Sequence, residues 1–301
     1  MGSTLERLAQ RKLISPPKWL PASIAYETIM GSMAYGVSSD SSDMDVYGFC
    51  LPPKDDVFPH LRGEIIGFGR QIQRFEQFQK HHIEDKDALA GQGREYDLTI
   101  FSLVKFFQLA MDNNPNIIDS LFTPRDCVLY CNSIGDRVRE NRRIFLHKGS
   151  WHKFKGYAYA QVHKMETKNP QEGSKRAQNV DEFGFDCKFA YHVVRLLDEV
   201  EQILTLGDLN LQRDRERLKA IRRGEWSLEQ VKAFFVTKEK ELESAYTASK
   251  LPHGPDEAAI KNLLLECLEM HYGSLENAIS LPGQERALLA QIKALCEKAG
   301  V

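Results

Sequence analysis

The sequence predicts an α+β fold, in which a small mixed β-sheet core with flanking helices is followed by a helical C-terminal domain. Two observations predict it. Beyond about residue 130, apolar residues recur almost wholly at helical spacing. Segments with the alternating or apolar pattern of strands occur only before that point, at 23–30, 44–50 and 95–101.

The first two predicted strands flank a polar loop. Residues 23–30 alternate in part and end at Gly31, where the chain can turn. Residues 44–50 end before Pro52 and Pro53, which lack the N–H that a strand ladder requires. The two strands therefore border one loop rich in serine and aspartate.

The third predicted strand follows a long segment with little regular pattern. Residues 54–93 contain an aromatic-rich stretch at 68–78 but no clear period, so we interpret them as an insertion. Residues 95–101 then form a strand, and Ser102 can cap a helix whose apolar positions recur over 103–110. The insertion thus lies between the second and third strands.

The second half of the chain contains long amphipathic helical segments, of which 189–204 and 258–270 are the clearest. We place the sheet domain, with its insertion at about 54–93, at 1–135. The helical domain is placed at 136–301.

Composition is that of a globular protein. The chain has 301 residues, 42% hydrophobic and 27% charged, with a net charge of -2. No apolar run approaches the roughly 18 residues of a membrane helix, and Arg7 and Arg11 are not followed by an apolar signal core. Six cysteines lack zinc-ligand spacing. We expect a cytoplasmic protein with reduced thiols and no membrane partner.

Positive charge is concentrated in one segment. From Arg137 to Lys188 there are twelve Lys or Arg residues against six Asp or Glu. Such an excess can bind phosphates, although a solvated basic face without a partner gives the same pattern.

Two carboxylates at the start of the second strand carry the clearest chemical signal. Asp43 and Asp45 are separated by one residue, so their side chains project to the same face of a strand. Oxygen ligands in such an arrangement suit Mg²⁺. Asp97 on the third strand can supply a third carboxylate, and Glu95, which shares its face, is the alternative.

A glycine and a serine lie at the end of the first strand. Gly31 lets phosphate oxygens approach the backbone, and the Ser32 hydroxyl can donate a hydrogen bond to them. A turn of helix that begins there would direct further N–H groups at an anion.

The order of these elements resembles the signature of the polymerase-beta-like nucleotidyltransferase superfamily. Met30-Gly31-Ser32 is followed after ten residues by Asp43-Met44-Asp45-Val46, and Tyr96-Asp97-Leu98 is similar to the third element. The chain is also similar, over about 24–230, to predicted bacterial and phage nucleotidyltransferases that include the RNA-ligase-associated ones. The segments that carry this narrower resemblance are 31–36, 42–49, 105–107, 114–117, 184–197 and 220–226.

The resemblance implies a metal-dependent nucleotidyltransferase, which transfers a nucleoside monophosphate from an NTP such as ATP to an acceptor hydroxyl. It implies that Asp43, Asp45 and Asp97 are the catalytic carboxylates and ligate Mg²⁺ or Mn²⁺. It also implies that Gly31 and Ser32 hold the triphosphate. The segment 54–93 is longer than in minimal members of the family. Because of this difference, either Asp97 or Glu95 could be the third carboxylate.

A row of polar groups is predicted on the helix after residue 186. Lys188, His192 and Arg195 are spaced by four and three residues, so they share a face and can bind the nucleotide. A solvated stripe is the alternative. For His81 and His82 we expect no metal site, because adjacent residues on a regular element point apart.

The acceptor is left open by these motifs. An RNA 3′ end or a tRNA suits the basic segment and the RNA-repair likeness, while a protein or a small molecule stays open. A non-catalytic nucleotide sensor and a toxin or antitoxin module acting on tRNA or protein are the rival functions. Because all three carboxylates are present, the sequence favours catalysis. It gives neither base preference nor oligomeric state.

Overall fold

The computed structural model describes residues 2–38, 43–57, 74–167 and 175–273, with five further residues between 291 and 298. Within them lies one sheet with the strand order β3-β4-β2-β1-β5. β2 and β4 are parallel, and the other neighbouring strands are antiparallel. The strands are β1 (Ile24–Ile29), β2 (Met44–Cys50), β3 (Gln77–Asp85), β4 (Arg94–Ser102) and β5 (Val128–Cys131).

Helices surround this mixed sheet and make up most of the later chain. Those in the first part are α1 (Thr4–Gln10), α2 (Gly31–Ala34), α3 (Lys54–Val57), α4 (Ala88–Gly91), α5 (Leu103–Met111) and α6 (Pro115–Phe122). Those in the second part are α7 (Ser133–Glu140), α8 (Ser150–Thr167), α9 (Lys175–Phe183), α10 (Cys187–Leu206), α11 (Arg215–Arg222), α12 (Leu228–Ala248) and α13 (Glu257–Tyr272). The α+β prediction is confirmed.

The two faces of the sheet pack against different partners, because strand side chains alternate. One face carries Val46 and Leu98, which lie in a small core with Leu5 of α1. The opposite face carries Phe49 and Phe101, which lie in a larger core that includes most later helices. The helical part therefore covers the sheet face to which Asp45 and Asp97 belong by strand alternation.

Helix α10 is the central element of that larger core. Nearly every residue of it from 189 to 204 is buried, and it packs against α8, α11 and α12. Asp186 caps its start by accepting a hydrogen bond from the Lys188 N–H at 2.8 Å. Within the part of the chain that the structure describes, no helix has both the length and the apolar character needed to cross a membrane.

The three predicted strands are confirmed as β1, β2 and β4, and Ser102 caps α5 as predicted, its Oγ accepting from the Lys105 N–H at 3.2 Å. The interpretation of 54–93 as an irregular insertion is wrong in part, because it contains β3, which pairs with β4. Residues 58–73 of that segment, and with them most of the aromatic stretch, lie outside the described residues.

Candidate active site

The central carboxylates lie side by side on the two parallel strands. Asp45 of β2 is the register partner of Asp97 of β4, so the two side chains leave neighbouring strands at the same level and on the same face. Both are half-buried, and Asp43, just before β2, is exposed. Glu95 lies one step before Tyr96, the partner of Met44, and is therefore level with Asp43.

Asp45 lies in an environment that disfavours its charge. Burial raises its pKa, and the negative charges of Asp97 and Asp43 raise it further, while Lys188 and His81 oppose the increase. A carboxylate that is desolvated beside two like charges is stabilised by an added cation. The chemistry of this oxygen-donor set therefore fits a divalent metal ion.

Gly31 is required by the position of Asp45. Its φ is +66°, in the left-handed region, and a Cβ built there would lie 2.2 Å from Asp45 Oδ2. The Met30 N–H donates to the Asp45 carbonyl at 2.7 Å, which fixes the end of β1 against β2. The absence of a side chain at Gly31 lets the carboxylate lie directly against the start of α2, where Ser32 is half-buried.

Two histidines from β3 approach the third carboxylate. The β3–β4 register shifts between Lys80 and Ile83, and His82 has a φ of 54°. His81 Nδ1 lies 3.3 Å from Asp97 Oδ2, and the His82 backbone N–H donates to Asp97 Oδ1 at 2.8 Å. Our reason for excluding these histidines is wrong, because the irregular register, unlike a regular strand, brings both of them to the acidic groups of β4.

The same region contains a mixed set of potential metal ligands. His82 Nδ1 lies 2.5 Å from Glu95 Oε1. Counting Asp97, the ligand atoms of the three residues all lie within 4.8 Å of one another. Imidazole nitrogen is a better ligand for Zn²⁺ than for Mg²⁺, so this set widens the range of cations that the site could hold.

Lys188 is brought to the acidic cluster by the helical part. It lies exposed in the first turn of α10, and its positive charge lowers the pKa of Asp45. His192, one turn further on, is half-buried, with its ring centroid 4.2 Å from that of Tyr191. Of the predicted row, Lys188 is thus close enough for its charge to act on Asp45.

Arg195, the third member of that row, lies in the core with its side chain 5% exposed. Its Nη1 is 2.5 Å from Asp119 Oδ2 and 2.8 Å from Glu199 Oε1, and its guanidinium lies 4.3 Å from the Tyr35 ring centroid. Phosphate binding by arginine requires an accessible guanidinium fork, and burial in the core keeps the Arg195 guanidinium away from solvent. This placement disfavours direct nucleotide binding by Arg195. Along the face of α10 that the three residues share, Lys188 is exposed, His192 is half-buried and Arg195 is buried.

The basic segment is less available for phosphates than its composition predicts. Arg137 pairs with Glu266, Arg143 with Asp208, and Lys155 with Glu239. Arg139 is buried, donating to Tyr26 and Thr123, and residues 168–174 lie outside the described ranges. These four of the twelve basic residues are therefore engaged within the protein, three in ion pairs and one in hydrogen bonds to neutral groups.

Other residues near the site have no signal in their own spacing. Tyr47 lies two residues after Asp45 on the same face, and its pKa rises to about 12 through burial and the nearby Asp45 charge. Gln212 donates to the carbonyl of Ala34, the last residue of α2, and Arg222 donates to the carbonyl of Val37, just after it. Arg222 lies in a segment that carries the family resemblance, which is the one sequence signal that could have singled it out.

Comparison with known proteins identifies a family model that matches most of the chain. The family model described as RNA repair pathway DNA polymerase beta family matches residues 3–266. A solved nucleotidyltransferase-like protein from Exiguobacterium sibiricum is similar over 89% of this chain and 80% of its own, with 10% identity and a TM-score of 0.27. That score is too low to add to the assignment. No curated protein matches the sequence.

Proposed function

The chain belongs to the RNA repair pathway DNA polymerase beta family, and from that premise we propose that it is a metal-dependent nucleotidyltransferase. The observation that carries the proposal is the register pairing of Asp45 with Asp97 beside Gly31. In the proposed reaction an acceptor hydroxyl oxygen forms a bond to the α-phosphorus of an NTP. The bond from that phosphorus to the β-phosphate oxygen breaks, and pyrophosphate leaves.

The proposed metal ligands are Asp43, Asp45 and Asp97, with Mg²⁺ or Mn²⁺ as the cation. When bound, such cations neutralise triphosphate charge and lower the pKa of the attacking hydroxyl. The register of β2 and β4 supports Asp97 as the third carboxylate over Glu95, because Asp97 is the direct partner of Asp45 whereas Glu95 lies two residues earlier on β4. Asp97 then orients the acceptor hydroxyl or receives its proton.

The chain's own cations and backbone bind the other end of the substrate. Gly31 and Ser32 would hold the triphosphate at the start of α2, directly beside the Asp45 carboxylate. Lys188, whose charge acts on Asp45, would offset the phosphate charge, and His192 would contact the nucleotide from the next turn of α10. Arg195 is left out of the proposed ligand set because of its burial.

An RNA 3′ end or a tRNA is the acceptor that we propose. The support is the family description, which names an RNA repair pathway. The basic segment gives little additional support, because Arg137, Arg143 and Lys155 are ion-paired. We also propose a cytoplasmic location, since all six cysteines are free, as is typical of a reducing compartment.

The test is transfer of label from each α-phosphate-labelled NTP to total RNA, with Mg²⁺ or Mn²⁺. The variant combines Asp43→Asn with Asp45→Asn. The control is Asp112→Asn, which makes the same change from carboxylate to amide at an exposed residue that follows α5. We expect the double variant to transfer label at least about 100-fold more slowly, which corresponds to an activation barrier higher by roughly 2.7 kcal/mol. The control should transfer label at the wild-type rate. Transfer by the double variant at the wild-type rate would contradict the mechanism.

A further inference from the structure

The turn after β1 is held by donors from the helical part of the chain. Gln212 Nε2 donates to the Ala34 carbonyl at 3.1 Å, and Arg222 Nη1 donates to the Val37 carbonyl at 2.8 Å. Both acceptors lie at or just after the end of α2, where a helix leaves carbonyls without partners of its own. Two side chains more than 170 positions away in sequence therefore supply these bonds.

The Arg222 side chain is itself held in place. Its guanidinium lies 5.4 Å from the ring centroid of Tyr191, which is 2% exposed and belongs to α10. A planar guanidinium can stack on a ring and donate to a carbonyl at the same time, whereas a lysine ammonium has no flat face to stack. The contact thus fixes the direction in which Arg222 donates.

The side chain of Tyr35, which belongs to the same turn, is also held by contacts with the core. The Tyr35 hydroxyl donates to Asp119 Oδ2 at 2.8 Å, and Arg195 lies over its ring. Tyr35, Asp119 and Arg195 are each at most 5% exposed. The backbone and the aromatic side chain of one turn are therefore both fixed by the helices.

The position of this turn determines where Gly31 and Ser32 lie. The turn is internally bonded, with the Tyr35 N–H donating to the Gly31 carbonyl at 3.3 Å and the Val37 N–H to the Ser32 carbonyl at 2.9 Å. A displacement at Val37 is therefore passed on to the residues that lie against Asp45. Bonds of this kind keep a binding site in its productive geometry before the ligand arrives.

We propose that Arg222 is a positioning residue, which together with Gln212 holds the turn 31–37 in the conformation that receives the triphosphate. The inference rests on the proposed function for the identity of the ligand. Arg222 acts through the backbone of the turn and does not contact the nucleotide. Its removal should weaken nucleotide binding without removing any metal or phosphate ligand.

The test compares Arg222→Met with Arg223→Met. Arg223 is the next residue, is exposed and pairs with Glu225, so its replacement removes the same charge without touching the turn. Two quantities are measured for each purified full-length variant. They are the hydrogen-exchange rates of the Tyr35 and Val37 amides without nucleotide, and the Kd for ATP with Mg²⁺.

We expect Arg222→Met to exchange these amides at least about 10-fold faster and to bind ATP about 10-fold more weakly, while Arg223→Met matches the wild type in both. Arg222→Lys should recover only part of the loss. Wild-type exchange rates or wild-type ATP affinity in Arg222→Met would overturn the inference. So would equal losses in Arg223→Met.

Two other results, a variant that does not fold and a wild-type protein that binds no NTP, can be distinguished from those above. If Arg222→Met does not fold, Gln212→Leu, which removes only the bond to Ala34, must show the faster exchange and weaker binding. If the wild-type protein binds no NTP, the proposed function fails. The exchange rates then still decide whether Arg222 holds the turn.

Discussion

At the scale of single residues, the site combines groups that are unfavourable for folding without a ligand. Asp45 is half-buried beside Asp97 and Asp43, and the pKa of Asp45 is raised by burial and by both charges. When the pKa of an acid is raised in the folded state, the protein becomes less stable as the pH rises through that pKa, because the folded state must then hold the disfavoured charge. We expect a bound cation to offset the electrostatic cost of the Asp45 charge.

Asp45→Asn is predicted to raise the stability of the metal-free protein at neutral pH, because the neutral amide removes the repulsion from Asp97. In buffer with a chelator, we expect a melting temperature about 1–3 °C above that of the wild type, the shift that about 1 kcal/mol gives in a domain of this size. Added Mn²⁺ should raise the melting temperature of the wild type more than that of the variant. A variant that is less stable in chelator would contradict this account.

Gly31→Ala tests the close approach between the turn and Asp45. The φ of +66° gives a strain of about 1–2 kcal/mol for alanine, and the Cβ must displace Asp45 Oδ2. Gly91→Ala is the matched control, since its φ is +90° but nothing lies within 4 Å of the added Cβ. We expect both variants to be destabilised in denaturant unfolding, and only Gly31→Ala to lose NTP binding. Equal binding by the two would show that the approach does not matter.

At the scale of elements, the alternating strands and the capped helices could be predicted from sequence, and the edges of the sheet could not. β1, β2 and β4 are largely buried, so their apolar residues are a clear signal. β3 is mostly exposed and polar, and β5 has only four residues, all half-buried. β3 has no alternating apolar pattern, and the short apolar run of β5 does not distinguish a strand from a piece of helix.

The site was predictable to the same degree. Asp43, Asp45 and Asp97 could be singled out because local spacing and family likeness identify them, and the order of Gly31 relative to them adds to the signal. The pairing of Asp45 with Asp97 depends on long-range parallel register, which no local pattern encodes. The burial of Arg195 could not be predicted for the same reason. Its partner Asp119 lies 76 positions earlier, so helical spacing alone could not indicate its burial.

The junction of α1 with β1 gives a prediction about pH. Glu27 is fully buried, and its carboxylate accepts from the Thr4 N–H at 2.5 Å and the Leu5 N–H at 3.1 Å, at the start of α1. Burial raises its pKa from 4.5 to about 7, although those backbone bonds oppose the increase. Its contribution to stability is therefore present below pH 4.5 and is lost as the pH rises through about 7.

Glu27→Gln should remove this pH dependence. We predict that the free energy of unfolding of the wild type, relative to the variant, falls by up to about 3 kcal/mol between pH 5 and pH 8, on the order of 1.36 kcal/mol per pKa unit. Urea unfolding at both pH values measures it. Parallel stability curves for the two proteins would contradict the assigned role of Glu27.

At the scale of the whole molecule, the helical part completes the site as well as covering the sheet. The larger core contains Phe49 and Phe101 from the sheet and Val193 and Leu197 from α10, so the two parts share one apolar interior. The predicted boundary near residue 135 stays a prediction. α10 contributes Lys188 at the cleft and Arg195 behind the turn after β1. One helix thus contributes both a residue of the candidate site and a residue that supports the turn.

The measurement that tests the central claim most directly follows two labels of one substrate. Purified wild-type protein is incubated with RNA and a divalent cation, in parallel with α-phosphate-labelled and γ-phosphate-labelled ATP or the preferred NTP. Nucleotidyl transfer predicts that the α label becomes attached to the RNA while the γ label appears in pyrophosphate. Attachment of the γ label to the RNA, without the α label, would identify phosphoryl transfer and contradict the account.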